Sequence, residues 1–168
     1  MTTAPYVRPY FDSGIFISWL KDTDIGPLAD GAIGDRHPVS EHVLSEAEHG
    51  QYPVVTSFFT MAEVYKKVGH GVQSLTDAEN GKIMDYFENE WIAWVEVDRN
   101  VGADANRLLV EYKTQKLRPV DAIHLASALR AKCDVLLTWD GPLAKIQHSS
   151  IRIEFPRMNP GTLFENQE

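Results

Sequence analysis

Residues 117–140 read LRPVDAIHLASALRAKCDVLLTWD, and this stretch decides the fold. Pro119 suits a first helical turn, where its missing N–H would have no intrahelical partner anyway. The segment after it, PVDAIHLASALRAK, is rich in Ala and Leu. Ala122, Ala126 and Ala128 are small enough to let this helix approach a neighbour closely. Asp121 and His124 lie three apart and so share a helical face. Val135, Leu136 and Leu137 then form a short continuous apolar run, the pattern of a strand buried on both sides. The run ends in Thr138, Trp139, Asp140 and Gly141. In open parallel α/β sheets, ligands bind beyond the carboxyl ends of strands, which is where Asp140 would sit.

The rest of the chain repeats the alternation. Working from the N-terminus, 6–11 reads as a first strand weakened by Pro9. Asp12-Ser13-Gly14 closes it, with Ser13 as the expected N-cap of a helix through Ile15, Phe16, Trp19 and Leu20. Residues 22–38 hold three glycines, two prolines and four aspartates. They read as a loop, long enough to be either functional or mobile. A helix over 40–48 stops at Gly50. A second strand over 52–56 leads to a helix capped by Ser57 and ending near Gly69. Thr76 with Glu79 forms a capping-box pattern for a helix running to about 90. A third strand covers 91–97, a helix 101–115, a short helix 142–146 and a last strand 151–155. Strands alternating with helices predict a parallel sheet with helices on both faces. A single domain over 1–168 is expected, with 1–5 and 157–168 as loose termini.

Composition narrows the function. With 43% apolar and 24% charged residues, the chain fits an ordinary globular protein. No run approaches the roughly 20 apolar residues that span a bilayer, so no membrane association is expected. The N-terminal MTTAPYVRPYFDSG lacks a secretory pattern, and a cytoplasmic location is expected. Cys133 is the only cysteine, which rules out an intrachain disulfide or a cysteine zinc cluster and reads as a small buried filler. The formal net charge of −8 argues against broad binding to phosphate backbones. It leaves room for a nuclease, because acids gathered to bind metal add to the excess.

Four acids occupy related places: Asp12 after the first strand, Glu63 in the helix after the second, Asp121 early in a helix and Asp140 after the fourth strand. Converging carboxylates would repel one another, and a divalent cation resolves the repulsion. An all-oxygen site suits Mg2+ or Mn2+ and could activate water against a phosphodiester. Each acid also has an ordinary reading. Asp12 could cap its helix, Glu63 could pair with Lys66 or Lys67, Asp121 could favour a helix N-terminus, and Asp140 could be a turn residue. Shared placement at one end of the sheet is what favours the joint reading. Ser13, Thr138 and His124 adjoin candidate acids as supporting residues; as ordinary residues they are a cap, a strand-end hydroxyl and a hydrogen-bonded helix position. Arg107, Lys113, Lys116 and Arg118 form a local basic patch that either touches an RNA backbone or is a solvated face. Trp19, Trp91, Trp94 and Trp139 read as core or interface residues.

These segments resemble the PIN domain, the fold of the VapC-type toxin ribonucleases. The resembling elements are YFDSG with Asp12, SFFTMAEVYK with Glu63, PVDAIHLASAL with Asp121 and VLLTWD with Asp140. DAIHLASAL followed by LLTWD is the strongest part, and the interval from Asp12 to Glu63 is longer than usual. The resemblance implies a three-layer α/β/α sandwich with a central, mainly parallel sheet of about five strands. It implies a metal-dependent endoribonuclease in which Asp12, Glu63, Asp121 and Asp140 hold Mg2+ or Mn2+ and a metal-activated water attacks RNA. It also implies a homodimer and a cognate antitoxin that places a basic or aromatic residue in the acidic pocket.

Two other readings compete. An aspartyl-nucleophile phosphatase would show Asp-x-Asp after the first strand, whereas Asp12 is followed by Ser13-Gly14. A catalytically inert PIN-like interaction module would not need all four acids.

Overall fold

The computed structural model describes residues 6–65 and 75–158. In chain order, β1 (Pro9–Phe11) leads into α1 (Ser13–Leu20), and β2 (Ile25–Pro27) pairs with β3 (Ile33–Asp35). Then come α2 (His37–Glu48), β4 (Val54–Ser57), α3 (Phe58–Val64), α4 (Asp77–Phe87) and β5 (Ile92–Val95). The second half holds α5 (Arg99–Glu111), a 3₁₀ turn (Lys113–Gln115), α6 (Pro119–Arg130), β6 (Val135–Leu137), α7 (Gly141–Ala144) and β7 (Arg152–Glu154).

The main sheet has the order β5-β4-β1-β6-β7, and every neighbouring pair is parallel. Strand order reverses at β1, which has β4 on one side and β6 on the other. That is the switch point where crevices open in α/β sheets. Side-chain alternation divides the core between the two faces. Phe11, Val54, Val135 and Leu137 pack with Ile15, Phe16, Val43, Leu44, Ile83 and Phe87 from α1, α2 and α4. Tyr10, Val55 and Leu136 pack on the other face with Val101, Ala105, Leu108, Ala122, Leu125 and Ala126 from α5 and α6. Arg130, the last residue of α6, pairs with Asp104 in the middle of α5 at 3.0 Å and ties the two helices together. The expected three-layer α/β/α arrangement is therefore present, with a five-stranded sheet at its centre. Cys133 is buried, as its reading as a filler required.

Differences from the sequence reading lie where local signals are weak or divided. Residues 22–38 are not a plain loop. They form the β2–β3 hairpin, and α2 begins at His37, earlier than expected, with Pro38 in its first turn. Three-residue strands containing Gly26, Pro27 and Gly34 carry no alternation to read. The two glycines face inward because Arg36 and Leu28 lie against them; a Cβ at Gly26 would strike the Arg36 guanidinium. Arg36 in turn stacks over the Trp139 ring at 5.1 Å and donates to the Pro27 carbonyl at 3.2 Å. The hairpin thus buttresses the end of the segment that follows β6. The capping box of α4 forms as expected, with Glu79 and Thr76 bonded reciprocally. The α5 helix starts earlier than expected, because Asp98 caps it through the N–H groups of Asn100 and Val101. Arg157, expected in a loose terminus, pairs with Glu154 at 3.2 Å. The expected helix end near Gly69, the Lys66 and Lys67 pairing, and residues 1–5 and 159–168 lie outside the described residues.

Candidate active site

The carboxyl ends of β1, β4 and β6 deliver the site. Asp12 directly follows β1, and its backbone N–H donates to Leu137 O on β6 at 3.2 Å. Asp12, rather than the expected Ser13, caps α1: its Oδ1 accepts from Gly14 N at 2.9 Å. This releases Ser13, whose hydroxyl donates to Glu63 Oε2 at 2.8 Å. Glu63 reaches the same place from α3, which leaves the end of β4. Asp121 comes from the first turn of α6. Asp140 caps α7, its Oδ1 accepting from Leu143 N at 2.8 Å. Together with Gly14, Ile17, Val120, His124, Trp139 and Arg118, these residues line one cleft of about 190 Å³.

Burial sets the electrostatics. Asp12, Glu63 and Asp121 are 6, 8 and 5% exposed, so each charge must be neutralised or matched. Glu63 is matched by Ser13 and by His124, whose Nε2 lies 2.6 Å from Oε2. The other ring nitrogen of His124 sits 2.9 Å from the Tyr10 hydroxyl, which donates to Ser57 Oγ at 3.0 Å. Ser57 stands at the N-cap position of α3, yet its side chain makes no cap bond and serves this buried chain instead. Asp121 and Asp140 share a different partner. Arg118 donates to both oxygens of Asp121 at 2.7 and 3.0 Å and to Asp140 Oδ2 at 2.6 Å. Burial pushes the Asp12 carboxyl up to about 6; nearby Glu63 adds to the rise, while His124, Thr138 and the Gly14 N–H oppose it. Thr138, fully buried, also accepts from Asp140 N at 2.9 Å and so braces both acids.

The four sequence-predicted acids therefore converge, with Ser13, His124 and Thr138 as direct neighbours. Of the basic patch, only Arg118 lines the cleft. Arg107 pairs with Asp104 on α5, and Lys113 and Lys116 are exposed in the 3₁₀ turn and its left-handed end. Sequence reading missed Tyr10, Ser57 and Trp139 as parts of the site. Strand alternation could have found Tyr10, which lies two residues before Asp12 and so on the same face. The spacing of Arg118 and Asp121, three apart, likewise announced an ion pair. Trp139 is buried as expected, with Nε1 donating to Ser40 Oγ at 2.8 Å.

Among the described residues, no three acids or histidines already stand as a metal-coordinating group. The donor chemistry nonetheless fits a hard divalent cation. The available ligands are carboxylate oxygens, and Asp12 is buried, which makes a cation beside its charge favourable. Asp12, Asp121 and Asp140 could supply carboxylate oxygens to such an ion, with Glu63 held beside them by Ser13 and His124.

Comparison with known proteins places this architecture in a family. The PIN domain family model matches residues 10–148, and the chain belongs to the PIN domain family. Three solved structures share its fold. Mycobacterium tuberculosis VapC20, a Sarcin-Ricin loop cleaving toxin, is 15% identical with a TM-score of 0.61, the match covering 86% of this chain and 98% of that one. VapBC2 from Rickettsia felis, solved bound to a DNA fragment from its promoter, is 12% identical with a TM-score of 0.62, covering 90% and 100%. A toxin-antitoxin complex from Klebsiella pneumoniae is 18% identical with a TM-score of 0.56, covering 89% and 98%. No curated protein matches the sequence significantly. Among the described residues, no helix is long and apolar enough to cross a membrane.

Proposed function

We propose that the protein is a metal-dependent endoribonuclease and the toxin of a toxin–antitoxin pair. The observation that carries this reading is the convergence of Asp12, Glu63, Asp121 and Asp140 on one cleft at the carboxyl ends of β1, β4 and β6. Membership of the PIN family supports it, as do structural neighbours that are described as a cleaving toxin and as a toxin–antitoxin complex. Asp12, Asp121 and Asp140 would hold Mg2+ or Mn2+, with Glu63 as the fourth acid. When bound, the cation supplies Lewis acidity: it lowers the pKa of water and offsets charge on the phosphodiester. The residues do the positioning. Ser13 and His124 both hold Glu63 Oε2, and Thr138 and the Gly14 N–H orient Asp12. The wall formed by Ile17, Val120 and Trp139 limits water beside the acids, which strengthens every charge interaction inside. We further assign it a homodimeric state, a cytoplasmic location and a cognate antitoxin, whose basic residue would suit the acidic cleft.

The test is cleavage of a mixed pool of structured and single-stranded RNA in Mg2+, Mn2+ or EDTA. Wild type and Asp121→Asn are run side by side. Metal-dependent cuts that vanish in the variant are expected. No cutting and no metal binding by folded wild type would refute the reading and leave an inert PIN-like interaction module in its place.

A further inference from the structure

Arg118 is a cation held where the proposed metal would bind. Its planar fork takes both oxygens of Asp121 and reaches across to Asp140, thereby joining two acids from different elements. A guanidinium suits this bidentate arrangement as a point-like ammonium would not. The three partners differ in freedom. Asp121 is buried in the first turn of α6, and Asp140 is tied to α7 by its cap bond. The Arg118 side chain is 54% exposed and precedes α6, so it can leave the cleft without opening the core.

A divalent cation drawing on the same carboxylate oxygens competes with a guanidinium hydrogen-bonded to them, because like charges would meet within a few ångströms. We propose that Arg118 is an internal counter-ion. It holds the Asp121–Asp140 side of the cleft in the metal-free protein, is displaced by a divalent cation, and then contacts an RNA phosphate. This proposal rests on the metal-dependent nuclease reading above. Displacement leaves a guanidinium at the mouth of an otherwise acidic cleft, where the bidentate geometry that grips Asp121 equally suits a phosphodiester. It also gives an acidic protein a local means of accepting a polyanion without a wide basic surface.

The alternative role is a strut that orients Asp121 and Asp140 for the metal, and the two roles differ in sign. Removing a competitor tightens metal binding; removing a strut weakens it. Mn2+ alone is titrated calorimetrically into wild type, Arg118→Gln, Arg118→Lys and Asp121→Asn, with circular dichroism checking the fold of each. Arg118→Gln is expected to bind Mn2+ about tenfold more tightly, the scale of a lost half-exposed ion-pair network. Arg118→Lys should fall between it and wild type. Binding of a short fluorescein-labelled single-stranded RNA, read by anisotropy at saturating Mn2+ before cleavage proceeds, should weaken about tenfold in Arg118→Gln. Unchanged or weaker Mn2+ binding in Arg118→Gln overturns the counter-ion role. Tighter Mn2+ binding with unaltered RNA affinity overturns the phosphate contact. Mn2+ binding that is absent from every protein, or survives in Asp121→Asn, refutes the underlying metal site instead.

Discussion

Asp12→Asn should stabilise the metal-free protein at neutral pH, and the gain should disappear in acid. The substitution retains the side-chain oxygen that caps α1 through Gly14 N, so the helix start is preserved while the charge is removed. Asp12 is buried, and its carboxyl titrates at about 6 in the folded protein against an ordinary 3.8. A raised carboxyl pKa means that the folded state binds the proton more tightly than the unfolded state does. Its stabilising effect is complete below pH 3.8 and is lost as pH rises through 6. The shift corresponds to about 3 kcal/mol of stability lost between acid and neutral pH, an upper figure because the folded site can relax around the charge. Asparagine has no such dependence. Urea unfolding in EDTA from pH 4.5 to 8 should show Asp12→Asn more stable than wild type by roughly 2–3 kcal/mol at pH 8, with the difference shrinking as pH falls. A difference that is zero at pH 8, or constant across the range, would refute the argument that burial of an unneutralised carboxylate strains this site.

The buried chain through His124 predicts a second stability effect. His124→Ala removes the partner of a buried carboxylate; because Ser13 still donates to Glu63, the loss should lie near roughly 3 kcal/mol, measured by urea unfolding. Tyr10→Phe deletes one hydroxyl from the same chain and should cost only about 1 kcal/mol. Metal should act in the opposite direction to charge repulsion: Mn2+ at 100 times its dissociation constant should stabilise wild type by about 2.7 kcal/mol, seen as a raised melting temperature. Asp121→Asn should show no comparable rise, and an unchanged wild-type melting temperature in millimolar Mn2+ would count against the clustered acids as a metal site.

Sequence by itself determined the architecture and the identity of the acids. The alternation of strands and helices, the Ala-rich segment over 119–130 and the all-apolar VLL of β6 are local patterns set by periodicity and side-chain size. They were legible because each element's burial is written into its own residues. The positions of Asp12, Glu63, Asp121 and Asp140 followed from their places relative to strand ends. Tertiary structure alone decided the partners. Which side chain caps α1 was undecided between Asp12 and Ser13, since both types cap well; only the nearness of Glu63, fifty residues from Ser13, draws that hydroxyl off. Ser57 was likewise taken from α3 by Tyr10. The β2–β3 hairpin was invisible for a different reason. Its glycines answer to Arg36 and Leu28 lying against them, and Arg36 answers to Trp139, a contact across more than a hundred residues. Arg118 resembled three other basic residues in one patch until the fold brought Asp140 within 2.6 Å of it. A hydrogen bond between distant residues is a property of their separation in space, and no pattern confined to one segment encodes it.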